Sequence, residues 1–260
     1  MLIQESFVDL QTPQGVMRTF IFQPAAPGCF PGIVLFAEIY QITGPIARTA
    51  RRLAGNGYVV AVPEIYHDFE PPGSPFEYNP ADTDKGNRYK ITKTLASYDD
   101  DARACIDHLL ARADCNGRLG CVGICLGGHL SLRCAMNPEI LAGVCFYATD
   151  VHSRTLGQGR QDNTLDRLAE IKAEMLMVWG KQDPHIPLAG RQLIYHTLSD
   201  AGVNFTWHEF NAQHAFLRDE GHRYNPALAE ICHALLFELF ARTLQLGLPS
   251  TVAGAQPQSC

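Results

Sequence analysis

Several signatures are missing from this chain, and each absence argues against a class of function. No cysteine pair is spaced C-x-x-C and H-E-x-x-H does not occur, so no metal site is expected. The glycines never fall as G-x-G-x-x-G, and no G-K-[ST] follows a glycine-rich loop, so neither nucleotide fingerprint is met. Positive charge is not in excess: 21 Lys and Arg stand against 27 Asp and Glu, a formal charge of −6. That balance argues against nucleic acid or an anionic membrane surface as a partner. No uncharged apolar run is long enough for a transmembrane helix. The opening M-L-I-Q-E-S-F-V-D-L has neither the basic start nor the apolar stretch of a secretory signal. No internal repeat and no second domain are visible.

Cysteine, by contrast, is abundant. The nine residues at 29, 105, 115, 121, 125, 134, 145, 232 and 260 are odd in number and fall mostly inside apolar segments. A chain of 260 residues needs no covalent staples. Packed free thiols in a reducing cytoplasm are therefore expected.

Hydrophobic periodicity gives a chain of alternating strands and helices. Residues 7–23 alternate around T-P-Q-G and read as a hairpin, and the β-branched run at 32–37 reads as a strand covered on both faces. A helix is expected over 45–54, a strand over 58–63, and an irregular loop over 64–92 of the kind that usually carries function. Beyond it come a helix over 94–112, a strand ending at 123 and its helix to 136, and a strand over 142–148. An irregular stretch over 149–162, a strand over 174–179 and a helix over 187–198 follow, then a strand over 203–210 and a last helix over 226–243. Such alternation predicts an α/β fold, with a mostly parallel sheet of about seven or eight strands and helices on both faces. Residues 1–246 form one domain in this reading, and 247–260, rich in Pro, Gly, Ser and Gln, a flexible C-terminal tail. A monomer or weak homodimer is expected.

The stretch 119–129, L-G-C-V-G-I-C-L-G-G-H, organises the rest. An apolar strand runs into G-x-C-x-G-G and on into a helix, which is the nucleophile elbow G-x-S-x-G with Cys125 in the serine position. Helix N-terminal amides aimed at that turn would stabilise a thiolate or an oxyanion. Two other readings stand beside this one: a glycine-rich turn can cradle a phosphate, and buried cysteines are usually inert.

What lies at the other strand ends decides between them. Glu38, Asp183 and His214 each follow a predicted strand, so the parallel sheet carries them to the same edge as Cys125. An imidazole with an ordinary pKa near 6.5 suits proton transfer with a thiol, and a carboxylate can fix its tautomer. The order nucleophile, acid, histidine is that of the α/β-hydrolases. Asp183 in K-Q-D-P-H also suits a plain turn residue, and His185 and His208 are decoys near His214. The backbone amides of Ile39 and Leu126 are the expected oxyanion pair.

Glu38-Ile39-Tyr40, the G-x-C-x-G-G elbow, Asp183 in G-K-Q-D-P and His214 in Q-H-A-F together resemble the dienelactone hydrolase family, over essentially residues 5 to 242. The resemblance implies a single-domain α/β-hydrolase fold and an esterase that opens an unsaturated, carboxylated lactone without metal or cofactor. It implies that Glu38 keeps the resting thiol protonated and takes its proton once substrate binds, that Cys125 attacks the carbonyl, and that an acyl-enzyme is then hydrolysed. It also implies that Arg218 contacts the substrate carboxylate. Tyr89 matches the family's tyrosine, while Lys85, with Arg88 close by, stands where the family carries an arginine. A small anionic lactone or ester is the expected substrate. A broad carboxylesterase or thioesterase, and a catalytically silent binding module on the same fold, are the alternatives.

Overall fold

The computed structural model describes residues 1–158 and 162–246. The N-terminal alternation becomes a hairpin of β1 (Ile3–Thr12) and β2 (Gly15–Pro24), paired antiparallel along its length. Gly15 turns the chain at φ 133°, a conformation that residues with a Cβ avoid. The elements that follow are β3 (Phe30–Phe36), α1 (Gly44–Gly55), β4 (Val59–Pro63), α2 (Pro80–Thr92), α3 (Leu95–Ala111), β5 (Cys115–Ile124) and α4 (Leu126–Cys134). The chain continues through β6 (Ile140–Phe146), the short α5 (Thr164–Arg167), β7 (Glu174–Gly180), α6 (Leu188–Asp200), β8 (Phe205–Phe210) and α7 (Pro226–Phe240).

All eight strands join one sheet in the order β1-β2-β4-β3-β5-β6-β7-β8. Pairing is parallel from β4 through to β8, and antiparallel only where β2 meets β1 and β4. From β3 the chain first moves outward to β4, then returns to place β5 on the other side of β3. Such a reversal opens a crevice at the strand C-termini, where ligands bind in open α/β sheets. Phe36 of β3 lies in register with Gly123 of β5, so the segments carrying Glu38 and Cys125 leave the sheet side by side.

Both faces of the sheet are covered. On β5 a Cβ at Gly120 would meet the Leu244 side chain 2.9 Å away, whereas the next residue, Cys121, bonds the Ser131 carbonyl in α4 on the opposite face. β3 is therefore shut off from water, with Ile33, Val34, Leu35 and Phe36 fully buried, each side chain stabilising the fold by about 1.5–3 kcal/mol.

The stretch 64–92 differs from its expected irregular course, because its last 13 residues are α2. Asn79 caps that helix by accepting from the Asp82 amide, and Pro80 occupies the first turn. Only Gly86 of α2 is buried, so the helix lacks the apolar stripe by which periodicity finds helices. The preceding loop is pinned from below: buried Lys93 donates from Nζ to Asp68 (2.7 Å) and pairs with Asp101 (3.0 Å), and His67 reaches Asp101 at 2.9 Å. The tail at 247–260 lies outside the described residues, as do 159–161. No helix of the described residues is long and apolar enough to cross a membrane.

Candidate active site

Cys125 sits between β5 and α4 with φ 62° and ψ −119°, a left-handed conformation that a side-chain-bearing residue holds only at a cost of about 1–3 kcal/mol. The turn is over-determined by its surroundings. The Cys125 amide donates to the Phe146 carbonyl (3.0 Å), and its own carbonyl accepts from the amides of Gly128 (3.0 Å) and Thr149 (3.3 Å). A Cβ on Gly123 would overlap the Gly127 carbonyl, and one on Gly127 would overlap the carbonyls of Phe36 and Ala37. Only glycine at both positions lets the elbow close between β3 and its own helix. His129, one turn into α4, is buried and bonds the Thr149 carbonyl and the Thr164 hydroxyl, a structural use of its ring.

His214 arrives from the loop after β8 and Asp183 from the loop after β7. Those two loops touch: a Cβ at Gly180 would lie 2.5 Å from the Ala212 carbonyl. The His214 Nδ1–H donates to Asp183 Oδ2 at 2.6 Å, and since a carboxylate only accepts, Nδ1 carries the proton. The other carboxylate oxygen accepts the His185 amide at 2.8 Å, which fixes Asp183 in a buried position. Burial alone would lower the His214 pKa. The neighbouring Cys125 sulfur and the Asp183 carboxylate outweigh it and raise the value to about 10. His185 packs its ring edge against His214 at 4.8 Å, and Tyr147 does the same at 4.9 Å.

Glu38 is 2 % exposed, immediately beyond β3. Its Oε2 accepts weakly from the Tyr78 hydroxyl (3.5 Å) and faces the Arg218 guanidinium at 3.9 Å. Burial raises its pKa above the ordinary carboxylate value, against the opposing pull of Arg218, His214 and Tyr78. Arg218 lies over the Tyr78 ring, 4.2 Å from its centroid. Among the described residues the Ile39 amide meets no acceptor, and the Leu126 amide is one of the unpaired N–H groups that open α4.

Glu38, Ile39, Cys125, His214 and Arg218 line one cavity of about 130 Å³. Asp183 stands behind His214, outside that lining. Lys85, Tyr89 and Arg88 are not brought to the cavity. Lys85 and Tyr89 both engage Glu70, at 2.5 and 2.8 Å, and Arg88 rests 5.7 Å from the Tyr89 ring centroid. The α2 face that lines the cavity instead carries Thr83, Asn87 and Lys90, spaced i, i+4, i+7. Gly86 sets that rotation, because its Cα side lies against Ile39, where a Cβ would come within 2.5 Å of the carbonyl oxygen. Sequence reasoning missed Lys90, Asn87 and Arg223 as cavity residues. For the first two, the Asn79-Pro80 helix start was the available signal; for Arg223 there was none.

The family model for "Dienelactone hydrolase family" matches residues 17–244. A Saccharomyces cerevisiae protein named "Putative carboxymethylenebutenolidase" is 43% identical over 269 residues, covering 99% of this chain and 98% of that protein. The "Carboxymethylenebutenolidase" of Pseudomonas sp. is 24% identical over 232 residues, covering 86% of this chain and 90% of the other. Among solved structures, a "Putative Dienelactone Hydrolase" from Klebsiella pneumoniae superposes with a TM-score of 0.77 at 23% identity, over 93% of this chain and all of that one, and so shares the fold. The matched span takes in every strand from β3 to β8, the cysteine elbow and the loops bearing Asp183 and His214, and on that evidence this chain belongs to the dienelactone hydrolase family.

Proposed function

We propose that the protein hydrolyses an ester or lactone bond of a small carboxylated substrate, through Cys125, His214 and Asp183 and an acyl-enzyme on the sulfur. One observation carries this reading. A cysteine held at φ 62° at a strand-to-helix turn shares a cavity with a histidine whose far nitrogen is bonded to a buried carboxylate at 2.6 Å.

The electrostatics suit a thiolate nucleophile. Protonated His214, its pKa raised to about 10, stabilises the thiolate once the thiol proton has left. Attack joins sulfur to the carbonyl carbon and pushes the electron pair onto oxygen, for which the unpaired Ile39 and Leu126 amides would serve as donors. Collapse expels the alkoxide or enolate, which takes the His214 proton or, in an unsaturated lactone, stays attached as an enolate. Once the sulfur is acylated its charge is gone, and with it the largest influence holding the proton on His214. The freed ring, or the enolate itself, can then deprotonate the water that releases the acid.

Glu38 fits a supporting role at the first step. Its burial-raised pKa lets it accept a proton from a neutral thiol more readily than an ordinary carboxylate would. A substrate carboxylate that drew Arg218 away would remove an opposing charge and raise that proton affinity further. Nucleophile activation would then be coupled to binding of an anionic substrate.

The test is turnover of cis- and trans-dienelactones beside a neutral aryl ester, with mass spectrometry of the enzyme quenched in the first turnover. An acyl mass on the Cys125 peptide and loss of hydrolysis in Cys125→Ala are expected. Hydrolysis that persists in that variant would overturn the reading.

A further inference from the structure

The catalytic cavity is small for a ligand site. Pockets that bind small molecules run from about 300 to 1,000 Å³, and this one measures about 130 Å³. A second cavity of about 540 Å³ adjoins it and shares Tyr40, Thr83, Arg218 and Arg223 with it. Tyr40 and Tyr78, packed edge to face at 4.7 Å, give that outer space an aromatic wall. A substrate that fills the inner cavity and continues past Tyr40 would reach a volume within the usual range.

The cations at this junction are not equivalent. Lys90 is paired with Asp150 at 2.9 Å. Arg218 faces Glu38 at 3.9 Å and donates from Nε to the Glu220 carbonyl at 3.1 Å. Arg223 has no carboxylate within ion-pair distance among the described residues, and its Nε is buried without a hydrogen-bond partner. The reason lies in its own loop. Asp219 and Glu220, the nearest carboxylates in sequence, are both drawn to Arg48, at 2.6 and 2.7 Å. Asp84 also borders the outer cavity but forms no ion pair with Arg223. A half-buried guanidinium that lines both connected cavities and has no carboxylate partner among the described residues is suited to capture of a planar anion through its terminal nitrogens.

We propose that Arg223 is a specificity-determining residue that holds a distal carboxylate of substrates spanning both cavities: esters or lactones whose anionic group is separated from the reacting carbonyl by several carbons, with a flat or apolar body against Tyr40 and Tyr78. Arg218 serves a carboxylate close to the carbonyl; Arg223 serves one further out. For turnover this inference rests on the hydrolase reading above, but the anion site itself does not.

The experiment uses 4-nitrophenyl half-esters of succinate, adipate and suberate, each beside its methyl-capped neutral twin. In the wild type, the ratio of kcat/KM for acid over twin should rise with arm length. Arg223→Gln should flatten that rise, lowering the ratio for the long arms by about 10- to 100-fold, mostly through KM, as expected for a lost charge-assisted hydrogen bond. Arg223→Lys should restore part of it. Thermal midpoints and circular dichroism of the variants should match the wild type. A ratio within twofold of wild type at every arm length would overturn the proposal.

A second readout needs no turnover: free adipate and suberate should slow alkylation of Cys125 by neutral iodoacetamide, and less so in Arg223→Gln. Equal protection in both proteins would also sink the proposal, even if none of the esters were hydrolysed. Hydrolysis absent from the wild type while protection depends on Arg223 would instead remove the hydrolase reading and leave the anion site standing.

Discussion

Replacing Asp183 by Asn tests how the histidine is held, with almost no change in volume. Two contacts depend on this carboxylate, the His214 Nδ1–H at 2.6 Å and the His185 amide at 2.8 Å. An asparagine oxygen can keep only one of them. If it stays on the His185 amide, the NH₂ group faces Nδ1, which must then accept, so the imidazolium is lost and the ring is held in the neutral tautomer whose only N–H points away from Asp183. Losing a charge-assisted hydrogen bond at a buried site costs about 1.5–3 kcal/mol. At about 1.4 kcal/mol per decade that is a 10- to 150-fold fall in kcat/KM, and the wrong tautomer adds to it. We expect at least a 100-fold loss on a neutral aryl ester. The His214 pKa, held at about 10 in part by this carboxylate, should also move down. Stopped-flow hydrolysis gives the first quantity and NMR titration of the imidazole the second. Activity within threefold of wild type, with an unmoved His214 titration, would refute the role given to Asp183.

Two other substitutions probe the turn and its neighbour. Cys125→Ser should keep the fold and lose at least about 100-fold in activity, because an imidazolium assists a thiolate but does nothing for a neutral hydroxyl; wild-type rates would remove the activation scheme. Gly86→Ala should gain about 1 kcal/mol of helix propensity, yet its Cβ falls 2.5 Å from the Ile39 carbonyl oxygen, and a backbone contact yields little. The overlap should win, so both the thermal midpoint and kcat should fall as the Ile39 loop is displaced; a raised midpoint with full activity would show that α2 moves freely.

Much of this site could be read before any coordinates, and the reason is the sheet. Parallel strands buried on both faces write continuous apolar runs, so β3, β5, β6 and β7 and the groups just after them stand out. Cys125, Glu38, Asp183 and His214 are all strand-terminal, and a parallel sheet puts strand ends on one edge. What could not be read is whatever depends on how a polar helix is rotated. In α2 only Gly86 is buried, so nothing in its hydrophobic pattern reports which face meets the cavity. Lys85 and Tyr89 consequently stand toward Glu70, with Arg88 beside the Tyr89 ring, while Lys90 and Asn87 line the site. Arg223 is a loop residue whose significance comes from the partners its neighbours have taken, and sequence does not record that.

The pairing of sulfur and imidazole is reached most directly by alkylating Cys125 with iodoacetamide across pH, in the wild type and in His214→Gln. Protonated His214 beside the sulfur stabilises the thiolate, so the wild-type rate at pH 7 should exceed that of the variant and depend less steeply on pH. Without the ring, the rate at pH 7 should drop by about tenfold or more and climb steeply with pH, as an unassisted thiol does. Superimposable profiles for the two proteins would contradict the account at its centre.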